Sequence, residues 1–342
     1  MKRLLLLAGA VALALLGWWL APRTFFACYL AAWWFGIGVL MGGLANVWLH
    51  NLTGGAWGEV IRGDMLERAR LVPLWCLLFL PLLAGMDTLY PWAAHSIDWH
   101  AEFSAPEFKA WWLSRPFFIA RALVWLALWS LLSWLACKPA LRRSPGMAAF
   151  GLLAYVFSLG LASVDWIMSL QPEWSSSVFG WLALSGQMLT GMALAVALLK
   201  REAARKQLPD LGNLLLMYVL GWAYLAYVEF LIIWAENLPH EIVWYARRST
   251  ALWVGVAWVL AVFHLAAPLM LLLSRRAKRA PSLMGVLAWG LLAAHLLDCW
   301  WLVLPSVGTL GTSALWLAPT LAVAFASLWL VWAGHRMEGR YV

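Results

Sequence analysis

Charge is what this sequence has least of. Asp, Glu, Lys and Arg make up 12% of its 342 residues against 64% hydrophobic ones, a balance that no soluble domain of this length needs. Cysteine is equally thin: Cys28, Cys76, Cys137 and Cys299 stand one to a segment. With no CxxC or CxxCH, the chain has no thiolate set for an iron–sulfur cluster and no attachment point for a c-type haem. The four read as small apolar packing residues. Among the seven histidines there is no HxxxH or HExxH pair. The stretch 91–115 gathers His95, Asp98, His100, Glu102 and Glu107, but without the spacing of a metal site.

What the sequence has in quantity is apolar runs of about 20 residues, each long enough to cross a hydrocarbon core. Ten can be read, at 4–21, 25–49, 70–90, 116–137, 146–170, 177–199, 211–235, 250–274, 283–304 and 313–334. The 28 tryptophans suit such a chain, since indole rings favour the two membrane interfaces; pairs such as Trp18-Trp19, Trp33-Trp34, Trp111-Trp112 and Trp300-Trp301 read as anchors. Lys2 and Arg3 followed by LLLLAGAVALALLGWWLA read as a signal peptide or a first spanning helix, and the bulky Trp18 and Trp19 favour a retained helix. The net charge of +8 lies in short loops, where it sets orientation instead of marking a nucleic-acid partner. Eighteen of the 24 Lys and Arg fall in one set of alternate loops, which predicts both termini in the cytoplasm of a bacterial inner membrane by the positive-inside rule. In the cytoplasmic segment 50–69, alternating acids and arginines predict a short interfacial helix with a solvated or headgroup-facing surface.

Two stretches break the apolar pattern with ionisable groups, LASVDWIMSLQPEWSSSVFG at 161–180 and EFLIIWAENLPHEIVWYARR at 229–248. Four helices predicted to run from cytoplasm to outside carry a carboxylate three to six residues before their outer ends: Asp87, Asp165, Glu229 and Asp298. At 1.5 Å per residue they lie about 5–9 Å below the outer boundary, and Arg121 on the next descending helix sits at similar depth. One layer holding all five would have to pair its members, keep some neutral or line a wet cavity. Each of these outcomes suits proton exchange with a small polar headgroup. The bland alternative has Arg121 locking one acid while the rest cap helices at the interface. His264 and His295 face one another in this topology, either as axial ligands of a b-type haem or as packing and proton-relay groups. Asn46, His50, Gln187 and Asn213, in the inner halves, read as interhelical hydrogen-bond partners or as part of a polar path.

Several segments in order then resemble a known family: HNLTGGAWGEVIR after the second helix, LYPWA, DWIMSLQPEWSSSVFG, EFLIIWAENLPHEIVWYARR, and His264 with Pro268. They are similar to the ActF subunits, NrfD-type (polysulfide-reductase-type) membrane subunits of alternative complex III, a quinol:cytochrome c or quinol:high-potential-acceptor oxidoreductase. The resemblance spans about residues 39–335. It implies an all-α polytopic fold with two four-helix bundles at 25–175 and 176–306, flanked by helices in 1–24 and 307–342. It also implies a sister NrfD-type subunit, an iron–sulfur protein and multihaem and monohaem cytochromes c as partners, with those cofactors held by the partners and a quinone or quinol (menaquinol or ubiquinol) as the ligand here. On this resemblance Asp165, Glu229, Glu236, Arg247, Arg248 and His264 become candidates for a quinol or proton path, with Asp165, Glu229 and Asp298 as proton acceptors. The depth pattern adds Asp87, Arg121 and Asp298. The rival expectations are a structural or proton-conducting subunit with no quinone site, and a stand-alone secondary transporter. The transporter lacks the Gly/Pro-interrupted half-helices of a central substrate site.

Overall fold

The computed structural model describes residues 2–94, 97, 106–199, 206–308 and 311–338, and among them all regular structure is helical. After a shorter apolar helix, α1 (Lys2–Leu20), come α2 (Pro22–Thr53), α3 (Arg115–Cys137), α4 (Pro145–Trp166), α5 (Phe179–Ala197) and α6 (Leu208–Glu236). Next are α7 (Ala251–Leu260) and α8 (Ala267–Leu273), joined by a π-helical turn at Ala261–Ala266, then α9 (Pro281–Val303) and α10 (Ser313–Glu338). Counting α7–α8 as one, eight of these are long and apolar enough to cross a membrane. The chain is an all-α, multi-pass membrane protein.

The sequence marks its own helix boundaries. α2, α3, α4, α6 and α9 each carry a proline in their first two positions, where the missing N–H has no intrahelical partner to lose. α6 stops at Asn237, whose φ of 51° is left-handed, followed two residues later by Pro239. The run expected as a third spanning helix at 70–90 is instead broken into Val72–Leu77, Leu80–Ala84 and Met86–Leu89. Pro81 cannot donate a backbone hydrogen bond to the preceding turn, and the chain bends so closely at Gly85 that a methyl there would enter the Phe26 ring.

Helix neighbours describe two rings. In one, α2 packs on the broken segment, that segment on α3, α3 on α4, and α4 back on α2; in the other, α5 packs on α6, α6 on α8, α7 on α9 and α9 on α5. The rings share the α2–α5 contact, and α1 packs with α10 along the outside of α2. Glycine makes that shared contact close: a methyl on Gly42 would strike the Gln187 carbonyl, and one on Gly191 would strike the Gly43 backbone. Small residues let helix backbones approach where lipid supplies no hydrophobic drive to bring them together.

Polar side chains tie the same seam. Asn46 donates to the carbonyls of Gly42 (2.8 Å) and Met188 (2.9 Å) and accepts from the Tyr218 hydroxyl at 2.6 Å. In the reverse direction, Tyr155 on α4 donates to Gln187 on α5. These inner polar groups therefore act as cross-links between the rings. His50 bonds locally to the Gly55 carbonyl at 2.8 Å, and Asn213 accepts from Lys278 at 2.6 Å.

The segment after α2 differs from the solvated surface expected of it. It forms two short helices, Ala56–Glu59 and Arg62–Ala69, and Arg62 and Arg68 are buried. Arg62 reaches Asn51 at 3.2 Å and the Arg142 carbonyl, so its guanidinium closes the loop against the chain between α3 and α4. Two pairs in this region are more exposed, Arg70 with Glu67 at 3.4 Å and Glu59 with Arg143, bonded twice at 3.0 and 2.9 Å. The Arg143 hydrogen bond holds the Glu59 carboxyl below its ordinary value.

Candidate functional site

Asp165, Glu229 and Asp298 lie near the C-terminal ends of α4, α6 and α9, and Arg121 lies near the N-terminal end of α3. All four are buried at one end of the bundle, with Asp165 at 0% exposure and Glu229 and Asp298 at 4% each. Their surroundings differ sharply.

Asp165 is locked. Arg121 Nε donates to Oδ2 at 2.9 Å and Nη2 to Oδ1 at 2.8 Å, the bidentate fork in which charge and geometry reinforce each other. Trp112 Nε1 adds a third bond to Oδ1 at 3.0 Å. The guanidinium also lies over the Trp112 and Phe117 rings, at 4.0 and 4.3 Å from their centroids. One arginine thus neutralises one acid.

Asp298 has only weak partners. Trp222 Nε1 approaches Oδ2 at 3.3 Å, and His295 Nδ1, one turn earlier on α9, is 3.4 Å from the same oxygen. His295 stacks on His264, centroids 5.4 Å apart and planes 21° from parallel, while His264 meets the Trp222 ring edge-on at 4.0 Å. His264 is fully buried, and neither ring nitrogen has a hydrogen-bond partner. It sits on the π-helical turn between α7 and α8, a distortion found often at functional positions. Near-parallel stacking does not suit two axial haem ligands, which would aim ring nitrogens at one metal from opposite sides.

Glu229 lies two turns beyond Trp222 on α6. Its Oε1 has no partner, and Ser176, Arg248 and Tyr245 are its polar neighbours. Arg248 itself is caged by carbonyls. It donates to those of Trp244 (2.6 Å), Trp301 (3.1 Å) and Leu302 (2.7 Å) and to the Ser306 hydroxyl (2.8 Å), and its guanidinium rests 3.3 Å from the Trp244 ring centroid. Burial lowers its pKa to about 9, so it keeps its charge at neutral pH. Arg247 pairs with Glu173 at 2.8 Å and also donates to the Ser306 carbonyl. Together the two arginines bind the links after α4, α6 and α9 into one cap.

Two of the sequence-derived candidates stand apart. Asp87 pairs with Arg115 at 2.7 Å, and its side chain is 55% exposed. The expected depth assumed a continuous helical rise, which the breaks before Gly85 remove. Glu236, the last residue of α6, is exposed. His95, Asp98, His100 and Glu102 lie outside the described residues, and among those described no group of three or more His, Cys, Asp or Glu is placed to hold a metal.

A crevice of about 290 Å³ lies between the helix at Pro106–Trp112 and the link after α4. Its walls include Phe108, Trp112, Met168, Trp174 and Ser175, with Lys109 at its edge. Trp112 is the residue bonded to Asp165, and Ser175 adjoins Ser176 beside Glu229. Trp174 is buried with its Nε1 lacking an acceptor and stacks on Trp244 at 3.9 Å and 13°. Sequence reasoning read Trp112 only as an interface anchor and did not name Trp222, and it weighed His295 as a haem ligand or as a packing and proton-relay group. The i,i+3 spacing of His295 and Asp298 was the readable signal for that pair; the tryptophan contacts arise only from tertiary packing.

No protein-family model matches the chain, and no curated protein is significantly similar to it.

Proposed function

We propose that this chain is an integral membrane subunit of a quinol-oxidising respiratory complex of the NrfD type, working beside a sister membrane subunit, an iron–sulfur protein and cytochromes c. The observation that carries the reading is the aromatic crevice whose wall includes Trp112, bonded to Asp165, and Ser175, the chain neighbour of the Ser176 beside Glu229. Its size is near the lower end for small-molecule pockets, and the free Trp174 Nε1 supplies a donor for a carbonyl or hydroxyl of a flat headgroup. The two-ring walls of Trp112 and Trp174 would orient such a ring. Quinol, as substrate, releases two electrons to a partner's cofactor and two protons. In this reading Glu229 takes up protons by way of the Ser175–Ser176 link, and Asp298, with His295 beside it and His264 stacked on His295, is the second acceptor. Asp165 holds Arg121 and Trp112 in place and so shapes the crevice without exchanging protons. Glu229→Gln in the assembled complex should slow quinol turnover at least about tenfold, the lower range expected on losing a proton-transfer group, with subunit composition unchanged. Unaltered turnover would remove Glu229 from the route.

A second reading, a proton-conducting subunit without a quinone site, is favoured by one observation. The orphaned His264, the stacked His295 and Asp298 form a row reaching from the middle of α7–α8 toward the carboxylate end. Under this reading His264→Ala abolishes proton uptake coupled to turnover while quinol oxidation by the partner continues. Unchanged uptake would count against it.

A further inference from the structure

At the opposite end of the bundle a different chemistry collects. The short helix Arg275–Lys278 leads through Arg279 and Ala280 into α9. Arg275, Arg276 and Arg279 are exposed, and none pairs with a carboxylate among the described residues. Lys278 is engaged instead, bonded to Asn213 and packed against Gly212. Immediately after these arginines, Pro281, Ser282, Gly285, Val286 and Trp289 of α9 line a crevice of about 120 Å³ against the end of α5. Trp289 is also in the wall of a second, almost wholly apolar groove of about 290 Å³, which continues along α9 past Leu292 and Leu296 between α2, α5 and α10. Positions 282, 285, 286, 289, 292 and 296 follow helical spacing and so share one face of α9.

Three exposed arginines thus immediately precede in the chain a run of crevice and groove along α9 that becomes apolar with distance from them, spanning about 20 Å of the helix axis between residues 282 and 296. We infer that this is a binding site for one anionic phospholipid, with its phosphate on Arg275, Arg276 and Arg279 and an acyl chain along the α9 groove. The charge is of the sign that attracts anionic headgroups near a membrane surface. The tail site begins two residues after the last arginine, so head and tail sites are contiguous in the chain. A soluble phosphate ligand would have no use for the groove, and a nucleic acid or acidic protein could not follow it between helices. The site is remote from the carboxylates, since Asp298 lies near the other end of the same helix, and it does not depend on the function proposed above.

The test uses the full chain, extracted in mild detergent and equilibrated with mixed micelles of phosphatidylglycerol and phosphatidylcholine in equal amounts. Retained lipid is counted by native mass spectrometry. Phosphatidylglycerol should be kept over phosphatidylcholine by about tenfold. Combined Arg275→Gln, Arg276→Gln and Arg279→Gln should bring the ratio near unity. Gly285→Leu, whose Cβ meets open space, should cut retention of both lipids with every charge intact. Should the triple variant fail to insert, Arg279→Gln alone and Gly285→Leu still give the reading. Equal retention of the two lipids by the unaltered chain would overturn the site. So would undiminished retention in Gly285→Leu, which leaves only a diffuse basic patch, or displacement by glycerol 3-phosphate alone.

Discussion

Asp165 and Asp298 occupy matching places, each near the end of the last helix of its ring, each buried, each touched by a tryptophan N–H. They differ in what stands opposite. Arg121 meets Asp165 with two hydrogen bonds, whereas His295 comes no nearer than 3.4 Å to Asp298. A buried carboxylate with a dedicated cation is a lock. One with a tryptophan and a histidine at the limit of hydrogen bonding has no such lock. The pairing that the bland alternative expected of Arg121 is thus present in the first ring, and the acids of the second ring have no such partner.

The largest expected effect probes that contrast directly. Arg121→Met leaves Asp165 buried without a counter-charge, which typically costs about 3–5 kcal/mol, read as a fall in unfolding midpoint in detergent. Adding Asp165→Leu should restore most of the loss, because removing both partners removes the uncompensated charge as well. Asp298→Asn keeps shape and a polar group facing Trp222, and should cost no more than about 1 kcal/mol. An Asp298→Asn penalty as large as that of Arg121→Met would collapse the distinction between the two acids.

Next in size is Arg248, buried like Arg121 but answering carbonyls instead of a carboxylate. Arg248→Lys keeps the charge but loses the fork that reaches Trp301, Leu302 and Ser306 together, and a cost of about 2–3 kcal/mol is expected from hydrogen bonds to a charged group. The cap over α9 then loosens while Asp165 and Arg121 stay paired. Hydrogen exchange should rise at 299–306 and not at 160–166; a rise in both would mean that the two rings do not respond separately.

How much of this was legible from the residues can be said for particular positions. Depth along continuous helices put Asp165, Glu229, Asp298 and Arg121 at one end, because a regular rise needs no knowledge of packing. The same arithmetic failed for Asp87, where prolines and the Gly85 bend interrupt the rise. Arg62 and Arg68 looked like surface charges since alternation with acids is the usual mark of a solvated face, yet the Arg142 carbonyl from a distant loop and the Asn51 side chain hold Arg62 inward. Which acid Arg121 chooses, and that Trp112 joins it from a separate helix at Pro106–Trp112, depends on helix rotation, which an evenly apolar sequence does not encode. The quinol partnership rests on motif resemblance, and the physical reading of the residues carries it only as far as a crevice of suitable size and a free carboxylate.

A smaller effect tests whether the rings depend on each other equally. Tyr155 of the first ring donates to Gln187 of the second, and Tyr218 of the second donates to Asn46 of the first. Each Tyr→Phe removes one hydroxyl, leaves one acceptor, and should cost about 1 kcal/mol. If the seam is reciprocal, the two losses are alike and add in the double variant; a markedly larger cost for one would show which ring leans on the other.

The smallest effect lies at the far end, in the exposed Glu59–Arg143 pair, and it has the opposite character to Arg121–Asp165. The Arg143 hydrogen bond lowers the Glu59 pKa from 4.5, so the folded state binds this proton less readily than the unfolded one. Its contribution is fully present above the unfolded value and disappears as pH falls through the lowered one. Water screens both groups, and salt should weaken the pair further. Comparing Glu59→Gln with the unaltered chain, the difference in unfolding midpoint should be slight at pH 7, vanish under acid, and shrink with added salt. The Arg121→Met loss should persist in high salt, because neither member of that pair faces solvent. Equal salt sensitivity in the two variants would place Asp165 in contact with water and return it to the candidates for proton exchange.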